Sequence, residues 1–444
     1  MARSRALDVW LHGQHVAVLT EPRPFRYRLE WTEQALDRYG VGARPMSLSL
    51  PVGTRPITDS DRRPVSSFLE GLLPEGNLRS HLATIYNVTV IDKMGLLTQV
   101  GKECAGAIQF LPRGERPGAG DVRPLTAREV DRLIADLPTY HVPEGSHPQA
   151  SLAGLQDKVL LTALPGGGWG WPEQGAASTH IVKPEPLTDA VVPHLIESEH
   201  WALRVADAAG LPAAQTRLAS FDGRTAIIIT RYDRCGGDDG AARLHQEDFC
   251  QALGLDPQAK YESMAEFRTL GSRLSRVASL AAGRAQDPVS FRLDLLRAVT
   301  FNIMIGNGDA HSKNYSLLLD ERGAVSLAPL YDTAPVMDLD RRFRGTSHVI
   351  NGTTSIDAVT IADLVREGST WGVPALKAER EIRETLLRVS DAVARVAPAE
   401  VISGIRERMA ARWRRSLWPT TAPDGRGSRT SPAADSAGSP SPQE

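Results

Sequence analysis

Gly306-Asn307-Gly308-Asp309-Ala310-His311-Ser312-Lys313-Asn314 is followed, eighteen residues on, by Asp332 in Pro329-Leu330-Tyr331-Asp332. The preceding segment, 291–305, has only Arg292, Asp294, Arg297, Thr300 and Asn302 as polar interruptions, which predicts a largely buried helix ending at Gly306. Beyond Asn314, apolar strands at 316–319 and 325–327 flank Asp320-Glu321-Arg322-Gly323, a hairpin with a glycine-containing turn. Helix, polar loop with Asp and Asn, hairpin, then Asp is the order in which kinase folds present a catalytic base and two magnesium ligands.

Phosphoryl transfer asks for these residue types because positioning and charge neutralisation do most of the work. A carboxylate at Asp309 can accept the proton of an attacking hydroxyl, an effect of about 10²–10⁴-fold. Asn314 and Asp332 offer hard oxygen ligands to magnesium, which takes few protein ligands and fills its octahedron with water and phosphate oxygens. An Asp-x-His-x-x-Asn string is also ordinary turn chemistry. The rest of the chain has to decide between them.

The 444 residues correspond to roughly two to four domains of about 150 residues. Hydrophobic residues at 41% and charged residues at 23% suit a globular protein with a sizeable core, and a net charge of −2 gives no basic excess pointing to nucleic acid. Only seven lysines occur (Lys93, Lys102, Lys158, Lys183, Lys260, Lys313, Lys377), so a lysine inside a motif is rarely filler, and three fall in the candidate site. Cys104, Cys235 and Cys250 lack metal-ligand spacing and suit reduced thiols. Residues 7–18 are broken by Asp8, His12, Gln14 and His15, unlike a signal peptide, and no apolar run reaches the ~18 residues of a membrane span. A cytoplasmic protein is expected.

Two short strands are predicted around His12-Gly13-Gln14, and Phe25, Tyr27, Leu29 and Trp31 alternate with charged residues as in a half-buried strand. Helices are expected near 66–73 and 77–86, and extended chain over 101–111. The Pro/Gly-rich stretch 112–120 reads as a linker, after which Thr126 and Glu129 form a capping box for a helix to about Asp136. Strands follow at 159–164 and 180–182, with a hairpin of 216–220 and 225–230 turning on Asp222-Gly223 and a helix over 197–210 between. From Gln246 onward the chain reads as largely helical apart from the catalytic hairpin.

In the strand-rich half, Ser151-Leu152-Ala153-Gly154-Leu155-Gln156-Asp157-Lys158 is a small-residue loop that can turn backbone N–H groups toward phosphate, with Lys158 adding a point charge. It is not a Walker A sequence. Lys183, ending the apolar strand His180-Ile181-Val182-Lys183, stands where kinases hold the α- and β-phosphates, with Glu199 or Glu197 from the next helix as partner. The bland alternative is a strand-end lysine snorkelling to solvent. Ala226-Ile227-Ile228-Ile229 runs into Thr230-Arg231-Tyr232, the place of an adenine-binding hinge.

These blocks, together with Arg44-Pro45-Met46-Ser47-Leu48-Ser49-Leu50-Pro51, Leu72-Leu73-Pro74-Glu75-Gly76-Asn77, Arg231-Tyr232-Asp233-Arg234, Gln246-Glu247-Asp248-Phe249-Cys250-Gln251 and Lys260-Tyr261-Glu262-Ser263, resemble the HipA-type serine/threonine kinases over 7–418. The resemblance implies an α+β, two-lobed protein-kinase-like fold with an additional N-terminal α+β subdomain and a mostly helical C-terminal lobe. Its expected divisions are 1–112, 113–235 with the phosphate loop and hinge, 236–418 with the catalytic and metal-binding loops, and a Pro/Ser-rich disordered tail at 419–444. It implies ATP and Mg²⁺ as cofactors and Asp309 as base, with His311 and Lys313 beside the transferring phosphoryl group. Asn314 and Asp332 would hold the metal. Nucleotide contacts would come from Ala153, Gly154, Leu155, Gln156, Asp157, Lys158, Lys183, Thr230, Arg231, Tyr232, His311, Asn314, Tyr331 and Asp332, and Ser151 would be the autophosphorylated, self-inactivating residue.

The family further implies a HipB-like helix-turn-helix antitoxin, operator DNA bound through the antitoxin complex, and a protein substrate among the aminoacyl-tRNA synthetases, notably glutamyl-tRNA synthetase, with no membrane association. Thr230 departs from the acidic residue often found there, and the tail after 418 has no counterpart. Competing readings are a small-molecule or lipid kinase, a non-catalytic antitoxin-binding corepressor, and a metal-dependent hydrolase using Asp309, His311 and Asp332. The last would leave Lys183 and the Ser151 loop without a task.

Overall fold

The computed structural model describes residues 5–59, 63–140, 142–144, 146, 154, 156–187, 192–236 and 242–417. The expected phosphorylation site Ser151, the loop residues Ala153 and Leu155, and the 419–444 tail lie outside them.

The N-terminal part is a five-stranded antiparallel sheet in the order Ile57–Thr58, Arg26–Trp31, Gln14–Arg23, Arg5–Leu11, Ile108–Pro112. The alternation seen in sequence is the sheet's buried face: Tyr27, Leu29 and Trp31 are buried while Arg26 and Glu30 are exposed. Helices Pro64–Leu72, Gly76–Ile85 and Lys93–Val100 contribute Phe68, Leu69, Leu82, Leu96 and Leu97 to the same core.

A six-stranded antiparallel sheet follows, ordered Thr216–Phe221, Arg224–Thr230, His180–Pro184, Val159–Ala163, Trp169–Glu173, Asp121–Leu125. Thr126 forms the expected capping box over Ala127–Ala135. The strands Asp121–Leu125 and Trp169–Glu173 were not expected. The first buries none of its side chains fully and the second is studded with Gly170 and Pro172, so neither carries an alternating signal. They pair with each other, which supplies what their sequences lack.

In the C-terminal part, Pro288–Ile305 is buried on nearly every side from Phe291 onward and packs in one core with Ala375–Arg395 and Arg273–Ala282. Its apolar character runs nearly all round the helix because only a narrow stripe with Asp294 and Arg297 reaches solvent. The second half is largely helical, as expected, but it holds strands beyond the catalytic hairpin in two places. His245–Asp248 adds a third strand to the hairpin Ser316–Leu319 and Val325–Leu327, and Gly345–Ile350 pairs with Thr353–Ser355. No helix among the described residues is long and apolar enough to cross a membrane.

The 44–51 block is a clasp between the N-terminal sheet and this half. Ser47 Oγ donates to a Glu247 carboxylate oxygen at 2.6 Å, the Leu48 N–H donates to the other at 2.8 Å, and a His245 ring nitrogen meets the Met46 carbonyl at 2.7 Å. Burial pushes Glu247 from its ordinary 4.5 up to about 8. The folded state therefore keeps a proton that the unfolded chain releases, and this group's contribution to stability falls as pH rises from about 4.5 to about 8. Glu247→Gln removes that slope. In urea titrations the variant should gain on wild type as pH rises through this window; a difference independent of pH would show that Glu247 is ionised throughout.

Candidate active site

The loop 306–314 owes its shape to the helix before it. Gly306 ends Pro288–Ile305 in the left-handed region, φ 83°, and its N–H returns to the Asn302 carbonyl. Asn302 Oδ1 accepts from the Asn307 side chain at 2.8 Å, and Asn307 Oδ1 accepts the Asp309 N–H at 3.1 Å, so a polar chain leads from the buried helix to Asp309. Gly308 is obligatory for space, since a Cβ there would run into the Phe343 carbonyl. Further along, the buried Arg273 guanidinium donates to Ser312 Oγ at 2.9 Å, and the Asn314 side-chain amide donates to the Asp309 carbonyl at 2.9 Å. That bond leaves the Asn314 amide oxygen free of the loop.

Asp332 follows the second hairpin strand and is itself left-handed, φ 50°, an uncommon state for a residue other than glycine. Across the lobes, Lys183 Nζ lies 3.1 and 3.2 Å from the two Glu199 carboxylate oxygens and 2.6 Å from Asp332 Oδ1. Glu199, not Glu197, is the partner on the helix Leu195–Ala208. Lys183 and Glu199 are buried, whereas the Asp332 side chain stays 41% exposed toward the cavity. Burial would raise Asp332, but Lys183 overrides it and holds the carboxylate down at about 2, while the two carboxylates hold Lys183 charged.

A cavity of about 720 Å³ joins these groups, within the range of small-molecule sites. Its walls include Gly154, Gln156, Asp157, Lys158, Lys183, Thr230, Arg231, Tyr232, Asp309, His311, Lys313, Asn314, Tyr331 and Asp332, so every described residue of the expected site meets in one place. The expected residues differ in what their side chains do. Arg231 turns into a buried cluster, 2.7 Å from Asp233 and 3.2 Å from Glu103, and its N–H donates to the Thr179 carbonyl at 3.0 Å, so its charge is not offered to a ligand. Asp157 is taken by the Tyr140 hydroxyl. Tyr331 Oη donates to the Lys313 carbonyl at 2.7 Å and meets Ser316 Oγ at 2.6 Å, bracing the loop.

Burial, with Lys260 nearby, pushes His311 down to about 3, so it is a neutral imidazole at physiological pH. Burial, then Lys183, pushes Lys158 down to about 8. Burial raises Asp309 above its ordinary range, against the opposing hydrogen bond from Tyr261.

Three residues escaped the sequence reading as functional groups, Lys260 and Glu75 on the cavity wall and Tyr261 against Asp309. Lys260 makes a fourth lysine in the cavity beside Lys158, Lys183 and Lys313; its rarity in the chain was the available signal. Glu75, from the N-terminal part, pairs with Lys313, and the Tyr261 hydroxyl donates to Asp309. Both stand in quoted blocks, but their partners lie 238 and 48 residues away.

Family models bear on the whole of this arrangement. The HipA-like C-terminal domain matches residues 150–397 and the HipA N-terminal domain matches 7–111. Y4mE of Sinorhizobium fredii is 37% identical over 338 residues, 74% of this chain and 76% of that protein. The serine/threonine-protein kinase toxin HipA of Shewanella oneidensis is 32% identical over 303 residues, 66% of this chain and 67% of that one. The solved structure of the Shewanella oneidensis HipA, HipB and operator DNA complex matches with a TM-score of 0.77 at 26% identity, covering 92% of this chain and 97% of that one. With its α+β kinase-like architecture and both HipA domains matched, the chain belongs to the HipA family of serine/threonine kinases.

Proposed function

We propose that this kinase uses ATP with magnesium to phosphorylate a protein serine, with Asp309 as general base. The observation that carries the reading is Lys183 bridged to both Glu199 and Asp332 on one wall of the cavity that Asp309 and Asn314 close from the other. The site suits a polyanion. His311 Nδ1 and Gln156 Nε2 are buried polar atoms with no partner among the described residues, and four lysines line the walls. The Asn314 amide oxygen and the Asp332 carboxylate are the hard donors a magnesium ion takes, Lys183 and Lys158 would hold phosphates, and the main chain of 230–232 would face adenine. A magnesium ion held by Asn314 and Asp332 would supply charge neutralisation for the phosphates. Asp309 takes the proton of the incoming serine hydroxyl, and neutral His311 offers a ring nitrogen beside it. On this reading, 113–235 is the nucleotide-binding lobe and 236–418 the catalytic lobe.

Family membership supports the cellular part of the proposal. The substrate is an aminoacyl-tRNA synthetase such as glutamyl-tRNA synthetase, Ser151 is the self-inactivating phosphorylation site, and a HipB-like helix-turn-helix antitoxin restrains the kinase and carries it to operator DNA. The Shewanella oneidensis complex of HipA with HipB and operator DNA is the support for these last two partners.

Nucleotide titration with and without magnesium tests the site. Asn314→Ala and Asp332→Asn should each weaken ATP binding about tenfold or more with magnesium present, since each removes a ligand or its charge, and change it little without the metal. Equal losses in both conditions would make these residues structural.

A further inference from the structure

The Tyr261 hydroxyl donates to Asp309 Oδ1, an oxygen of the carboxylate proposed above to take the acceptor's proton. The contact is built in. On one side of Tyr261, the Lys260 carbonyl accepts the Ser312 N–H at 3.1 Å, tying the segment to the catalytic loop. On the other, the Glu262 N–H donates to the Ser347 carbonyl at 2.9 Å, and its carboxylate accepts the N–H groups of Arg273 at 2.7 Å and Val349 at 2.9 Å. The main chain is therefore fixed at both flanks. The side chain is held by softer contacts: the His311 ring meets it edge-on at 5.2 Å, and the Lys260 ammonium lies 5.4 Å from its ring centre. Nearly half of Tyr261, 47%, remains exposed, so rotation about its side-chain bonds can swing the ring into solvent without moving the main chain.

A hydroxyl donating to a general base is the arrangement a phosphate acceptor must adopt. Resting on the reading of Asp309 as base, we infer that Tyr261 is a gate at the acceptor site: its phenol occupies the acceptor-hydroxyl position, shields Asp309 from water, and is displaced by the substrate serine. A phenol bonded at one oxygen of the carboxylate blocks water more cheaply than a closed lid, because only one hydrogen bond must be exchanged when the serine arrives. The gate has a clear purpose, namely to suppress futile hydrolysis. In that side reaction water's oxygen forms the new bond to the γ-phosphorus, the bond to the bridging oxygen of ADP breaks, and water's proton passes to Asp309.

The test is the initial rate of ADP release from ATP and magnesium, with no protein acceptor added, by the full chain and its Tyr261→Phe and Tyr261→Leu variants. Thermal melts establish folding, and Asp309→Asn runs in parallel. Both Tyr261 variants should release ADP about threefold to tenfold faster than wild type, the worth of one displaced hydrogen bond, with the KM for ATP unchanged. A purely structural role would not raise the rate at an unchanged KM for ATP. If Asp309→Asn is inactive while either folded Tyr261 variant is no faster than wild type, the gate is overturned and the base assignment stands. Undiminished ADP release by folded Asp309→Asn would instead overturn the base assignment and the gate with it.

Discussion

Asp309→Asn is expected to melt like the wild-type protein and to lose phosphate transfer by about 10²–10⁴-fold, the usual worth of a positioned general base. Folding should survive because the side chain sits in a polar loop and is half-buried, outside the main apolar core. An amide oxygen can still accept from Tyr261, and the main-chain bonds from Asp309 to Asn307 and from Asn314 to Asp309 do not involve the carboxylate. What the amide cannot do is take a proton. Burial raises the wild-type carboxyl above its ordinary 3.8, so transfer should fall as pH drops through that raised value, and the variant should show no such limb. Single-turnover transfer from radiolabelled ATP, with melting followed on the same samples, decides it. A folded variant with undiminished transfer would mean that another group takes the proton.

Much of the fold was legible where a single physical requirement dominated a segment. Helix Pro288–Ile305 announces itself because a helix with little solvent face needs apolar residues nearly all round, and the left-handed cap at its end needs glycine, supplied by Gly306. The N-terminal sheet shows itself by alternation because one of its faces is covered. The short strands Asp121–Leu125 and Gly345–Ile350 did not, since each is defined by a partner strand and by no pattern of its own. The site divides along the same line. Lys183 could be picked out because lysine is rare and it ends an apolar strand where kinases hold phosphates, and the next helix offered two glutamates as its partner without choosing between them. Lys260, Glu75 and Tyr261 could not be given tasks, because what each does is set by a loop distant in the chain that folding brings to it. Likewise Arg231 carries the charge expected beside a nucleotide yet spends it on Glu103 and Asp233, binding the hinge to the N-terminal part.

Lys183→Met is the substitution expected to damage both stability and activity, and the two losses can be separated. Methionine matches the length of the lysine stem, so packing against the strand His180–Pro184 is kept while the ammonium is lost. Glu199 is then a buried carboxylate without its cation, and breaking a buried pair from one side costs about 3–5 kcal/mol. The protein can limit that cost by keeping Glu199 protonated. Burial already raises this carboxyl, with Lys183 the main opposing influence. Its folded-state pKa in the variant should therefore lie well above the unfolded value, so the variant's stability should fall as pH rises between the two. Urea titration at acid and at alkaline pH should show a gap from wild type that widens with pH, and Lys183→Met/Glu199→Leu should close most of it by removing the orphaned carboxyl. Activity should behave otherwise. The double variant has no charge to hold phosphates or to steady Asp332, so ATP binding and transfer should stay as low as in Lys183→Met alone. Recovery of transfer alongside stability would reduce the Lys183–Glu199 pair to a structural strut and leave the phosphates to Lys158 and the loop around it.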